Sequence, residues 1–575
     1  MENTPNKKHA PPAASASGAS QSSSTTKGED AMAAYTIGVD FGSLSARAVL
    51  VDASNGREIA AAQMEYPHGI MDRCLPDGMP LPQGWALQHP QDYLDVLDDI
   101  LPRLTCQVPI EAIIGVGVDF TSSTVMPVCA DGTPLCLTDK YSGNPHAYVK
   151  MWKHHGGQGQ ANRMTELAEN QQAPWLKTFG GKVNAEWLFP KLLETFECAP
   201  EVYQEMAHFV ELADWVTWML CGRLTRSASC LGYKAFYTGK FPEKAFFAAL
   251  HPDFENVCEE KLSGEIIPLG SRAGGVSLQA AERWGLMPGT AVAAGSIDAH
   301  ACVPAAGIDG PGKLLAIIGT SACHIVMSEC AVPVSGMSGA VEGGVLPGFT
   351  AYEAGQTAVG DLFHWCEKTC VSADIEAAAR REGLSLQAYL TKQAALLRPG
   401  QSGLLALDWF NGNRSILADS DLSGMMLGMT LQTTPAEIYR ALMESTAYGA
   451  RVILDAYRDS GVAIGAFYAG GGVAQKNSLA MQIYADVLQM PVHVTDAAQG
   501  PALGSAIFAA AAAGAYASPA EAVRAMGAPV QKVYTPIPEN VTVYDALYRE
   551  YKALHDYFGG ENAVMKRLKA FRETK

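Results

Sequence analysis

Two short segments carry residue types that could handle a phosphate group. Residues 35–43 read Tyr-Thr-Ile-Gly-Val-Asp-Phe-Gly-Ser, and residues 315–323 read Leu-Ala-Ile-Ile-Gly-Thr-Ser-Ala-Cys. In each, an apolar strand runs into a tight turn, Gly42-Ser43 in one and Gly319-Thr320-Ser321 in the other. A second strand then follows, over 46–52 and 323–328. Such turns present backbone N–H groups and a hydroxyl at a strand end, which suits an anion. Two copies half a chain apart point to two related lobes that hold a nucleotide's phosphates between them. Asp40 stands at the first turn. A carboxylate beside phosphates needs a cation, so it reads as a Mg²⁺ ligand, direct or through water. The alternative is an Asp that only stabilises its own turn.

Two further segments have the right chemistry. Gly470-Gly471-Gly472-Val-Ala-Gln-Lys-Asn477 joins a strand to a helix; bare backbone lets a flat ring lie close, and a helix N-terminus favours negative charge. Its spacing is not that of a Walker loop. Ala294-Gly-Ser-Ile-Asp298-Ala-His300 follows a short apolar strand. Asp298 at that junction could take a proton from an attacking hydroxyl or cap the Ala-rich helix after it; the local sequence leaves both open. His300 and His324 read as packed or hydrogen-bonded side chains. Cys366 and Cys370 have one-turn helical spacing but lack two further ligands for zinc.

The chain has 575 residues, whereas single cores stop growing at about 250–300 residues, so two large domains are expected. A hydrophobic fraction of 48% with 18% charged residues is that of a globular protein. The net charge of −17, from 42 basic and 59 acidic residues, argues against nucleic-acid or anionic-membrane partners. Thirteen cysteines without a C-x-x-C pair fit reduced thiols and a cytoplasmic location. Residues 1–33 are rich in Ser, Ala, Pro, Gly and Thr and read as a disordered tail without signal or transit character. No apolar run approaches the roughly 20 residues of a membrane span.

The elements that must position these residues follow from the hydrophobic pattern. Strands over 35–41, 46–52 and 58–66 form a meander, a helix over 89–101 follows, and 113–120 is a buried strand. The second half repeats the order: strands between 314 and 328, a helix over 434–460, a strand over 466–470, a helix over 477–489 and a strand over 492–495. A helix over 501–513 should complete the second lobe, with peripheral helices over 516–575. Ile308-Asp-Gly-Pro-Gly312 reads as the boundary between lobes. Strand-strand-strand-helix-strand, twice, is the order of actin-like, ribonuclease-H-like ATPase lobes: an α/β fold with an interdomain cleft.

Longer strings narrow this further. Gly115-Val-Gly-Val-Asp119-Phe-Thr-Ser-Ser-Thr124, Asn144–Lys153, Asn184-Ala-Glu-Trp187 and Leu212-Ala-Asp-Trp215 come from the first half. Tyr352-Glu353-Ala-Gly-Gln356, Leu407-Asp-Trp-Phe-Asn-Gly412-Asn-Arg414 and Gly424-Met-Met-Leu-Gly428-Met429 come from the second. In these strings the chain resembles the FGGY carbohydrate kinases from about Tyr35 to Ala512, and most of all the branch that acts on L-ribulose. The resemblance implies a domain over 34–307 that binds sugar and carries the catalytic Asp, and an ATP-binding domain over 308–515. It implies ATP-dependent phosphorylation of the 5-hydroxyl of a ketopentose, with ATP and Mg²⁺ as cofactors. Residue by residue, Asp298 becomes the catalytic base and a sugar contact, and Asp40 supports Mg²⁺. Thr320 with Gly319 and Ser321, and Gly42 with Ser43, meet the phosphates. Gly471, Gly472 and Asn477 line the adenosine pocket, while Lys234 and Glu353 contact sugar. A homodimer is a further expectation from the family. Two departures, Ser122 in the Thr121–Thr124 string and His154 after Trp152-Lys153, bear on which pentulose is preferred; D-ribulose, L-xylulose and ribitol are the alternatives. A non-enzymatic actin-like ATPase is the rival of another class, against which the carbohydrate-site residues speak.

Overall fold

The computed structural model describes residues 33–337, 339–497 and 499–573; the tail, apart from residue 33, lies outside them. Tyr35–Phe41 (β1), Ser45–Asp52 (β2) and Glu58–Glu65 (β3) form an antiparallel meander. Helix Gln91–Thr105 (α1) buries Tyr93, Val96, Leu97, Ile100 and Leu101, the apolar positions of its 3.6-residue period. Ile113–Phe120 (β4) then returns parallel to β1. Arg272–Gly275 (β5), Ala291–Ala293 (β6) and Ser296–Ile297 (β7) complete the sheet in the order β5-β6-β4-β1-β2-β3, with β7 paired to the C-terminal end of β4. Beside it a small four-stranded sheet and several helices enclose an aromatic core around Phe189, Phe236 and Phe247. Helix Ala228–Lys234 (α2) leaves this region toward the second half, and Asp298–Ala305 (α3) follows β7.

Lys313–Ile318 (β8), Ala322–Ser328 (β9), Ala340–Glu342 (β10) and Thr350–Gln356 (β11) begin the second sheet. Gly360–Thr369 (α4) follows. Pro435–Asp459 (α5) starts with a capping box between Thr434 and Glu437. Ala466–Gly470 (β12), Gly471–Lys476 (α6), Ser478–Leu488 (α7) and Val492–Thr495 (β13) come next. The path β11-β9-β8-β12-β13 has the same pairing senses as β3-β2-β1-β4-β6. The two lobes are therefore two actin-like units of one α/β pattern.

The structure departs from the sequence reading in two places. Helix Gly500–Ala512 (α8), expected to complete the second lobe, packs on β1 and β4 of the first, with Ala502, Ala506 and Ala509 in the core built around Ile37 and Val116. Glycines make that approach possible. A Cβ on Gly38 would sit 1.8 Å from the Ala502 carbonyl oxygen, one on Gly117 2.2 Å from that of Ser505, and one on Gly115 2.6 Å from that of Ala509. Residues 516–575 also hold more than helices, because Val530–Tyr534 (β14) pairs antiparallel with β13 and closes that sheet edge. Its sequence, Val-Gln-Lys-Val-Tyr, is exposed at four of five positions, so it carries little apolar signal.

Candidate active site

Three strand ends converge on three carboxyl groups. The parallel register sets Asp40 on β1 opposite Asp119 on β4, and Ser296 on β7 opposite the same Asp119, two residues before Asp298. Asp119 was missed as a site residue. A signal existed: Gly117-Val-Asp119-Phe120 repeats Gly38-Val-Asp40-Phe41. Burial pushes both carboxyls up, Asp119 the further because Asp40's charge adds to it. Ser505 of α8 donates to Asp119 Oδ2 at 2.6 Å, while Oδ1 is buried without a partner. An orphaned carboxylate oxygen beside a second carboxyl suits a hard divalent cation.

Asp298 is the first residue of α3 and half-buried. It does not cap: Ile297 occupies the cap position, and among the described residues the Asp298 carboxylate accepts only from the adjacent Ala299 N–H at 2.7 Å. Burial, reinforced by the charges of Asp40 and Glu353, pushes it up to about 7; that N–H bond and Lys234 oppose the rise. Glu353 on β11 pairs with Lys234 Nζ at 3.3 Å, at the end of α2, and with His300 Nε2 at 3.0 Å, on α3. Burial raises Glu353, but Lys234, His300 and Arg414 outweigh it and hold the group well below the usual carboxylate range. Burial pushes the His300 imidazole down, against the pull of Glu353. The cluster thus joins α2 and α3 of the first half to β11 of the second, across the cleft.

The turns lie where the pattern put them. Gly42 N–H bonds the Ser45 carbonyl at 3.0 Å; Tyr66 Oη donates to the Gly42 carbonyl, and Gln88 Nε2 to that of Ser43. Trp152 Nε1 donates to Ser43 Oγ at 3.0 Å, so this hydroxyl is braced from the neighbouring segment. In the second turn Gly319 N–H bonds Ser321 O, and the start of α4 folds onto it through Val359 N–H to Thr320 O and Gly360 N–H to Gly319 O. Thr320 stays exposed. Gly471 has φ +87°, and a Cβ there would sit 2.7 Å from the Ile318 carbonyl oxygen, one residue before that turn. A Cβ on Gly472 would meet nothing within 4 Å, so its face is open. Asn477 is buried and caps α7 through Ala480 N–H at 3.0 Å, which gives it a structural task where it stands.

The two departures separate. His154 is buried against Glu194 at 3.0 Å in a network with Lys150, away from the cluster. The Thr121–Thr124 loop directly follows Asp119, and the hydroxyls of Ser122 and Ser123 are buried without partners. Among the described residues, one grouping of three His, Cys, Asp or Glu could hold a metal: His68, His89 and Asp92. The two imidazoles there stack at 17°, and Asp92 already bonds His68 at 2.6 Å. Stacked rings aim their lone pairs in parallel planes, a poor fit to one ion. All thirteen cysteines are free thiols. A cavity of about 640 Å³ opens between Lys177, Tyr237, Val332 and Glu342 and touches none of the cluster, so volume does not locate the chemistry. No helix among the described residues is long and apolar enough to cross a membrane.

Comparison with known proteins agrees with this geometry. Residues 314–513 match the C-terminal domain of the FGGY family of carbohydrate kinases. A ribulokinase of Bacillus licheniformis is 51% identical, covering 92% of this chain and 97% of its own. One from Halalkalibacterium halodurans is 48% identical over 94% and 97%. Among solved structures, xylulose kinase from Rhodospirillum rubrum shares the fold at a TM-score of 0.74 and 24% identity, over 91% of this chain and 99% of that one. Identity near one half along almost the whole of both chains, on a fold of two actin-like lobes, leaves one assignment: the chain belongs to the FGGY family of carbohydrate kinases, among its ribulokinases.

Proposed function

We propose that this kinase transfers the γ-phosphoryl group of ATP to the 5-hydroxyl of L-ribulose in the cytoplasm, giving L-ribulose 5-phosphate and ADP. The observation that carries the reading is Asp298, a carboxyl raised to about 7 beside the Lys234–Glu353–His300 cluster, to which the second half contributes Glu353 across the cleft. A base near neutrality can take a proton from an alcohol as the new P–O bond forms, and a polar cluster replaces the water a ketopentose loses on binding. Lys234 supplies a donor to sugar oxygens and Glu353 an acceptor, with His300 holding that carboxylate in place. The Gly42-Ser43 and Gly319–Ser321 turns hold the phosphates from opposite lobes, with Gly472 open toward the adenosine. Asp40 and Asp119 would hold Mg²⁺, which supplies charge neutralisation of the phosphates when bound. The proton ends on Asp298, the bond from Pγ to the β-phosphate bridging oxygen breaks, and ADP departs. Positioning and charge do most of this work, since phosphoryl transfer asks little covalent chemistry of the protein.

The test is ADP release in a coupled assay with L-ribulose, D-ribulose, L-xylulose and ribitol as separate acceptors. L-ribulose is expected to give the highest kcat/KM. A higher value for another acceptor would replace the substrate, and sugar-independent ADP release alone would remove the kinase reading.

A further inference from the structure

Arg414 ends the string Leu407–Arg414, which none of the roles above uses. Both of its flanks are pinned to β11 or to the residue just after it. Ser415 N–H bonds the Gly355 carbonyl at 3.2 Å, Ser415 Oγ accepts from Gly355 N–H at 3.1 Å, and Thr357 Oγ1 donates to Gly412 O at 2.7 Å. The Arg414 stem lies against the bare face of Gly355: a Cβ there would be 2.7 Å from Cδ and 3.3 Å from Nη1. Successive strand residues alternate faces, so Gly355 presents the same face as Glu353 two residues earlier. Arg414 therefore stands beside Glu353 on the cleft side of β11, and its charge helps keep that carboxylate ionised. It does the same for Glu186, which belongs to the first half and bonds His155 Nε2 at 3.1 Å.

A guanidinium carries five N–H donors. Among the described residues Arg414 donates no hydrogen bond, although it is half-buried between carboxylates of both lobes. Partly buried donors of that number call for acceptors, and the acceptors at hand belong to whatever fills the cleft beside Glu353. The position favours sugar over phosphate: Arg414's charge falls on Glu353 and Glu186, while the cation that eases Asp40 is Arg47. We propose that Arg414 is a specificity-determining residue that donates to the hydroxyl oxygens of the acceptor sugar, with Glu186 accepting from the same sugar across the cleft. A fixed fork of donors suits a pair of adjacent hydroxyl oxygens better than a single point charge does.

The inference rests on the kinase reading, and the experiment separates the two. Full-length Arg414→Gln, Arg414→Lys and Glu186→Gln are assayed with L-ribulose and with ketopentoses that each lack one hydroxyl. For Arg414→Gln the sugar KM is expected to rise about 10- to 100-fold, the range for hydrogen bonds to a charged group. The ATP KM should stay within about twofold, and the penalty against one deoxy sugar should shrink toward none. Arg414→Lys keeps the charge but loses the fork, so an intermediate sugar KM is expected; it decides the matter if Arg414→Gln does not fold. Glu186→Gln should move the sugar KM in the same direction by a smaller factor. An unchanged sugar KM, a fall in kcat at constant sugar KM, or wild-type penalties against every deoxy sugar would each overturn the role. Wild-type sugar kinetics in these variants would leave the kinase reading intact, whereas failure of the wild-type protein to phosphorylate any sugar would remove that reading instead.

Discussion

At Asp298 the environment sets the chemistry. A solvent-exposed Asp titrates near 4, too acidic to be an effective base at neutral pH. Here burial and the neighbouring charges of Asp40 and Glu353 raise it to about 7. The group must be ionised to accept a proton, and it is protonated below its raised value. The kcat/KM for sugar should therefore climb with pH along an acid limb of apparent pKa near 7. A limb at the ordinary carboxylate value, read from a pH–rate profile, would exclude Asp298 as the group that titrates. Gly471, proposed to line the adenosine pocket, has a packing task as well. Its positive φ and its approach to the Ile318 carbonyl make it a packing residue beneath the Gly319 turn. Gly471→Val is strained in both respects and should raise the ATP KM by about tenfold or more, with a much smaller change for sugar; equal changes in both would place its effect elsewhere.

Residue types were legible where local spacing announced them. The structure brings Asp40, Asp298 and the Lys234–Glu353 pair, each singled out in the sequence, into one neighbourhood. Asp119 and Arg414 were less legible for a physical reason. Asp119 matters through strand register, which pairs it with Asp40 across 79 positions of chain, and Arg414 through a glycine on another strand. The first relation shows in the sequence only as the repeated Gly-Val-Asp-Phe, and the second has no local signature.

The same holds among elements. Every strand of the first meander was readable from apolar runs of ordinary length, as were β8, β9, α5, α7 and the extent of α8; β11, the third strand of the second meander, was not read, because Thr-Ala-Tyr-Glu-Ala-Gly-Gln is no apolar run. The place of α8 was not, because an Ala-rich helix carries no mark of which sheet it will cover. The information lies in its partners: Gly38, Gly115 and Gly117 strip one face of β1 and β4 to bare backbone, and α8 seats there while Gly504 meets Ala301 of α3 at 1.8 Å from its missing Cβ. This contact carries Ser505 to Asp119 and sets the backs of the strands whose ends bear the carboxyls. Gly38→Ala puts a methyl group 1.8 Å from a backbone oxygen that has no room to move. It should destabilise the protein by about 3 kcal/mol or more, seen as a lower denaturation midpoint. A midpoint within error of wild type would mean that α8 is not seated as described.

On the scale of the whole molecule, two copies of one sheet pattern share a core in which Leu315, Ile325 and α8 of the second half pack with the first, and polar contacts line the cleft beside it. Lys234 and His300 reach Glu353, and Ser229 Oγ donates to the Gly344 carbonyl at 2.6 Å. Such a joint suits closure around a sugar and a nucleotide, which excludes the water that would otherwise hydrolyse ATP. The acidic net charge is compatible with this because the phosphate sites depend on local amides, single cations and Mg²⁺ rather than on a basic surface. The account therefore turns on a carboxylate poised at the junction of the halves. Its most direct test is Asp298→Asn, close in shape and without the base, compared with wild type for L-ribulose binding by calorimetry and for sugar-dependent ADP release. The expected result is sugar affinity within a few-fold and turnover reduced by about 10²–10⁴. Turnover equal to wild type in a variant that binds sugar normally would contradict it.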